Sequence, residues 1–264
     1  MRTFLKRALL APFALAAALG AAACEDGTGL GEGEVAIRFR SAGQAGQASL
    51  GPAAVDASQA LTVEGTNGVL TITDVRLIVE EFELEGDDDA CEREDDDDCA
   101  EFESGPFFVQ LPVDAGGVVT ITQDAIRPGT YDELEFEVED LEDDEDDEDA
   151  AAIAALRAQI RSEFPEWPDR ASALVVGTFT PVGGAPQPFS VFIEAEIEVE
   201  MELNPPLVVP GDRALVIDVA PGFWFRRPDG SVLDLTQWDH ATTGRLLELE
   251  LEFEDGFVEL EIDD

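Results

Sequence analysis

Lysine is all but missing from this chain. Lys6 is the single one, and beyond residue 24 every basic residue is one of 12 arginines, set against 60 aspartates and glutamates. The formal charge of −45 makes a surface that repels nucleic acid and anionic lipid, so neither is an expected partner. Divalent cations, bulk salt and basic surfaces remain. Loss of lysine with gain of acid fits adaptation to salt, genomic bias or cation binding alike, and composition does not separate these.

Histidine is as scarce, with His240 alone. A serine–histidine or cysteine–histidine nucleophile would have to run through it, and no Gly-x-Ser-x-Gly turn surrounds any serine. Beside Trp238, His240 reads as a packed loop residue. The chain also lacks His-Glu-x-x-His, a phosphate loop and a dinucleotide fingerprint. Dispersed carboxylates leave a glycan-active enzyme working through two of them as an alternative, but their abundance nominates no pair. The expectation is a non-catalytic protein.

Long apolar runs are missing too. Met1–Arg7 is basic, Ala8–Gly20 is apolar but short for a membrane span, and Ala21-Ala22-Ala23-Cys24 is a small-residue cleavage site. Residues 1–24 therefore read as an export signal. Their end resembles the lipobox of bacterial lipoproteins, which implies that Cys24 becomes the lipidated first residue of a protein anchored in the cell envelope, at the outer membrane or the periplasmic face. Ala21 stands where that pattern usually has leucine, and Ala21-x-Ala23 also suits an ordinary signal peptidase. With Cys24 acylated, Cys91 and Cys99 are left as a pair in an oxidising compartment and are expected to form a disulfide. The rival, a metal site, lacks a nearby histidine and zinc spacing.

What is abundant is alternation. In Phe192–Leu203 the residues Ile193, Ala195, Ile197, Val199, Met201 and Leu203 share one side of a period-2 strand, and Glu194, Glu196, Glu198, Glu200 and Glu202 the other. One side is core and the other a carboxylate ladder. The pattern returns in Leu247–Phe253 and Val258–Ile262. With Asp255-Gly256 as a hairpin turn, Phe253 would face Val258, Glu252 would face Glu259 and Glu250 would face Glu261. Like charges so placed repel, by up to about 1 kcal/mol per pair, and call for bound cations, salt or a strong core to offset them.

Elsewhere residues 25–33 read as a Gly-rich tether and 34–264 as one β domain. Strands are expected at Glu34–Arg40, in a hairpin turning at Gly65-Thr66-Asn67-Gly68, and along Val69–Leu84 as one long strand or two with a bulge. Further strands are Phe107–Val113, Val118–Thr122, Glu133–Glu139, Ala173–Thr180, Phe189–Leu203, Leu207–Val209, Ala214–Val219, Phe223–Arg226 and Val232–Leu235. Two acidic insertions interrupt them. Residues 85–105 form an acidic loop around the cysteine pair, and 140–168 carry nine acids in ten residues before a helix at Ala150–Phe164. That helix has Ile153, Leu156, Ile160 and Phe164 on one face, Arg157 and Arg161 toward its end, and Pro165 as its stop.

The strand Leu70–Leu84, the strand Phe108-Val109-Gln110-Leu111-Pro112-Val113, and Pro128-Gly129-Thr130-Tyr131 before a strand resemble, in their order, an uncharacterised family of bacterial envelope lipoproteins with a prealbumin-like or immunoglobulin-like sandwich. The likeness spans Gly33–Leu141 and implies no catalytic residue. The fold expected is all-β: a two-sheet antiparallel sandwich of about ten to twelve strands with one inserted amphipathic helix.

Two ligand classes follow. Calcium takes six to eight oxygens, and the acidic loops offer Asp87, Asp88, Asp89, Asp95, Asp96, Asp97, Asp98, Asp143, Asp144, Asp146 and Asp147, without an Asp-x-Asp-x-Asp-Gly spacing. Diffuse screening by counter-ions competes with this reading. Trp224 and Trp238 offer a sugar-stacking platform, as in a carbohydrate-binding module, with alternation burying Phe223 and Phe225 and exposing Trp224. An envelope glycan or protein is the partner class that follows.

Overall fold

Two long strands each break once, and at each break the chain passes from one sheet into another. In the computed structural model, residues 33–42, 60–86, 101–141, 150–211, 214–249 and 256–263 are described. The first long strand is β3 (Gly68–Val79), which continues after Glu80-Glu81 as β4 (Phe82–Gly86). The second is β10 (Gln187–Glu194), which continues after Ala195-Glu196 as β11 (Ile197–Val209). The other strands are β1 (Glu34–Ser41), β2 (Leu61–Gly65), β5 (Glu101–Ser104), β6 (Phe107–Gln110), β7 (Val118–Ala125), β8 (Gly129–Val138), β9 (Ala173–Pro181), β12 (Ala214–Val219), β13 (Leu247–Glu248) and β14 (Phe257–Asp263).

They form an all-β, sandwich-like fold. Hydrogen bonding divides the strands into three sheets, ordered β14-β12-β1-β7, β13-β10-β9-β3-β2 with β6 also on β3, and β11-β8-β4-β5. Pairing is antiparallel except for β1 with β12 and β10 with β13. Breaking the long strands at corners multiplies the strand count beyond the expected ten to twelve.

A single cluster of buried side chains draws on all three sheets. Phe39 of β1, Phe257 of β14 and Phe136 of β8 meet with ring centroids 4.9 to 5.9 Å apart, joining the first sheet to the third. Each such side chain, fully buried, contributes about 1.5–3 kcal/mol. Tyr131 is buried at the start of β8 and donates its hydroxyl to the Arg127 carbonyl, 2.8 Å away, pinning the Pro128-Gly129 turn as a tyrosine corner does in other sandwiches.

The middle sheet is buried on both faces. Val175, Val191 and Leu77 point into the main core, whereas Leu174, Phe192 and Ile78 point the other way, under the helix α1 (Ala150–Glu163). That is why these strands read as unbroken apolar runs. As its spacing predicts, α1 buries Ile153 and Ile160, with Leu156 and Phe164 partly covered beside Trp167. Among the described residues no helix is long and apolar enough to cross a membrane.

Three expectations fail locally, one of them at Val232–Leu235, which makes only an isolated bridge between Val232 and Arg226 before the 3-10 turn that begins at Leu235. Phe223–Arg226 is not a strand but two successive turns, with Phe223 N–H bonded to Ala220 O and Arg226 N–H to Phe223 O. A three-residue step replaces the two-residue one, so Trp224 is buried, at 2% exposure, and Phe223 is the exposed ring, at 51%. Gly256 lies against the Trp224 indole so closely that a β-carbon there would collide with it. In β14, a register shift opposite Asp218 and Val219 makes Val258 the extra residue, leaving it exposed while Phe257 enters the core. The pairings drawn for Glu250, Glu252 and Phe253 lie outside the described residues, and the described partner of β14 is β12.

Candidate functional site

The third sheet carries its glutamates in register. Glu200 of β11, Glu135 of β8, Glu83 of β4 and Glu103 of β5 are successive cross-strand partners, and so are Glu202, Glu133, Glu85 and Glu101. Glu198 faces Glu137 in a third row that ends at the β3–β4 corner, where Glu80 N–H bonds Glu137 O and Glu137 N–H bonds Glu81 O. Alternation puts Phe82, Leu84, Leu134, Phe136, Ile197 and Val199 on the opposite, buried side. Neighbouring strands are about 4.8 Å apart and same-face residues about 6.8 Å, so the carboxylates form a grid at that spacing.

No strand of this sheet has a basic residue to neutralise it. The first sheet differs. There Arg40 binds both oxygens of its cross-strand partner Asp218, at 2.6 and 2.8 Å, and Glu261 at 2.9 Å.

In the glutamate sheet crowding instead favours protonation of some carboxyls. Glutamates on the outer strands β5 and β11 are exposed and those on β4 and β8 are half-buried. Partial burial, a hydrogen bond with Glu198 and the surrounding negative charges push the Glu135 carboxyl up to about 7. Burial, a hydrogen bond with Glu103 and the same crowding push Glu81 up to about 7. Glu83 and Glu133 are raised for the same two reasons, desolvation first and neighbouring carboxylates second. Protonating Glu135 or Glu81 removes one of two charges that would otherwise repel.

Glu137 is the convergence point. Its carboxylate oxygen lies within 4.8 Å of oxygens from Glu80 and Glu139 on one side and from Glu135 and Glu198 on the other, giving two three-carboxylate sets that could each hold a cation.

Of the residues nominated from sequence, Cys24, Cys91, Cys99, Asp87, Asp88, Asp89, Asp95, Asp96, Asp97, Asp98, Asp143, Asp144, Asp146 and Asp147 all lie outside the described residues, as do residues 25–32 of the tether and the apolar leader. What the structure describes of segment 85–105 is its two ends, antiparallel partners in β4 and β5 with Glu85 opposite Glu101. The ladder of Phe192–Leu203 is divided by its corner. Glu198, Glu200 and Glu202 join the grid, while Glu194 stays on the middle sheet in an ion pair with Arg170. Sequence reasoning missed Glu80, Glu81, Glu83, Glu133, Glu135, Glu137 and Glu139, although the alternation of Glu133–Glu139 was the available signal.

The aromatic platform is corrected. Trp224 is core, and Trp238 alone of the nominated pair remains at a surface, half-buried at the end of a 3-10 turn, Leu235–Trp238. Asp234 caps this turn, and Asp239, which opens the short helix α2 (His240–Thr243), accepts from Ser190 N–H and ties the loop to β10. His240 packs edge-on against Phe192, at 5.0 Å. Trp238 lines two clefts of about 670 and 320 Å³ and carries the Arg245 guanidinium 4.4 Å from its ring centre.

The comparisons with known proteins add no neighbour. The chain matches no family model, no curated protein and no solved structure.

Proposed function

We propose that the protein is a non-catalytic component of the bacterial cell envelope, exported and lipid-anchored through Cys24, whose glutamate sheet gathers divalent cations of the calcium type. The observation that carries this reading is the register: two rows of glutamates run unbroken across four strands, and Glu137 in the row beside them belongs to two carboxylate triads. Carboxylates on the face of a sheet suit cation collection and offer no enclosed pair for acid–base work on a glycan. The acid of the smaller cleft supports the same view, since Asp234 already accepts from Thr236 N–H, the Thr236 hydroxyl and Gln237 Nε2.

Equilibrium dialysis against calcium tests the reading, comparing the protein with a variant carrying Glu135→Gln, Glu137→Gln and Glu198→Gln. The variant is expected to bind fewer ions, and equal binding by the two would refute the assignment to this sheet. For the anchor, Cys24→Ala is expected to move the protein from the membrane fraction to the soluble one.

A further inference from the structure

We propose that the paired clefts around Trp238 bind an acidic sugar, a pyranose bearing a carboxylate. Both clefts are lined by Arg227, Leu233 and Trp238, so they adjoin one another at these residues. The larger adds Phe223, which the turn at Ala220–Arg226 turns outward at 51% exposure, an unusual place for a phenylalanine with no core role. Two separate aromatic rings at a recess of this size suit the apolar faces of sugar rings.

Charge selects the class. In a chain with a fourfold excess of acids, Arg226 and Arg227 are exposed, consecutive, and without a carboxylate in ion-pair distance among the described residues. Arg227 acts on Asp229 only through space, and Asp229 is held mainly by Ser231. Glu248 lines the larger cleft and Asp234 the smaller, but Asp234 is committed to its own turn. Arg245 lines neither cleft and stacks on the Trp238 ring, holding the indole in place. Guanidinium groups are donors only and match a carboxylate in bidentate fashion, so a ligand carboxylate suits them as acceptor.

The protein's overall charge does not forbid this. The smaller cleft includes Asn67, next to the start of β3 at Gly68, whereas β3 reaches the glutamate sheet only past its other end at Val79, about 40 Å along the strand. The larger cleft lies nearer that sheet, since Leu249 N–H bonds Glu194 O three residues before β11, and there Arg226 and Arg227 themselves supply the positive charge. The clefts and the glutamate grid are built from different residues.

The experiment is a calorimetric titration of the protein in about 0.15 M salt with uronic-acid trisaccharides (galacturonate, glucuronate and mannuronate types) and with neutral maltotriose and cellotriose. At least one uronate is expected to bind saturably, with the neutral sugars weaker by about tenfold or more, as the loss of one charge-assisted hydrogen bond implies. Arg226→Gln with Arg227→Gln, and separately Trp238→Ala, are expected to weaken it by a similar factor while the unfolding midpoint of the arginine variant is unchanged. Absence of binding by every uronate, equal binding of neutral sugars, or binding indifferent to the arginine variant would each overturn the proposal.

Discussion

Glu135 on β8 is hydrogen-bonded to Glu198 on β11, in a sheet where glutamate faces glutamate along two rows from β5 to β11. Such a bond requires a proton on one of the two carboxyls. Glu81 and Glu103 repeat it at the other side of the sheet.

Stability should therefore fall as pH rises. Glu81 and Glu135 titrate near 7 when folded and in the ordinary glutamate range when unfolded, so the folded state binds more protons in the interval between. Their contribution is complete below the unfolded value and is lost through about pH 7. Thermal unfolding is expected to show a higher midpoint at about pH 5 than at about pH 8. A midpoint that rises across this interval contradicts protonation of these carboxyls.

Removing one carboxylate from the grid should stabilise. Glu135→Gln keeps size and hydrogen bonding while deleting a charge that faces Glu200 and Glu83. Denaturant unfolding at about pH 8 should show a gain of up to about 1 kcal/mol, with a flatter pH profile. A loss of stability there would mean that the charge is compensated in the folded state.

The core makes the opposite prediction. Trp224→Ala removes a buried indole that packs beside Phe225 and Phe257, 6.2 Å away in each case, and should cost about 3–5 kcal/mol in equilibrium unfolding. A cost below about 1 kcal/mol would return Trp224 to the surface role its sequence context suggests.

At the tyrosine corner, Tyr131→Phe deletes only the hydroxyl bonded to Arg127 O, and about 1 kcal/mol should be lost. The check is the same unfolding curve, with an unchanged denaturant slope.

Much of the architecture was legible because alternation is local. The Thr66-Asn67 hairpin turn, the break between β3 and β4, and the buried face of α1 all follow from residues near one another in the chain. The corner at Ala195-Glu196 was not legible, because it is set by a distant residue: the Ser172 hydroxyl accepts from Ala195 N–H at 2.9 Å. Nor could the sequence show which glutamates face which. Glu198 was visible as one rung of a ladder, but its neighbour Glu137 is brought in by pairing across some sixty residues of chain. Phe223 and Trp224 exchanged roles because two consecutive turns have a different period from a strand.

The central claim is that the glutamate sheet exchanges its protons for divalent cations. Proton release on calcium addition measures this directly, by titration calorimetry at about pH 7 in buffers of differing ionisation enthalpy. The account predicts protons released with calcium uptake, a smaller release in Glu135→Gln, and none at about pH 9, where the carboxyls are already ionised. Calcium uptake with no proton release at neutral pH, or release untouched by Glu135→Gln, would contradict it.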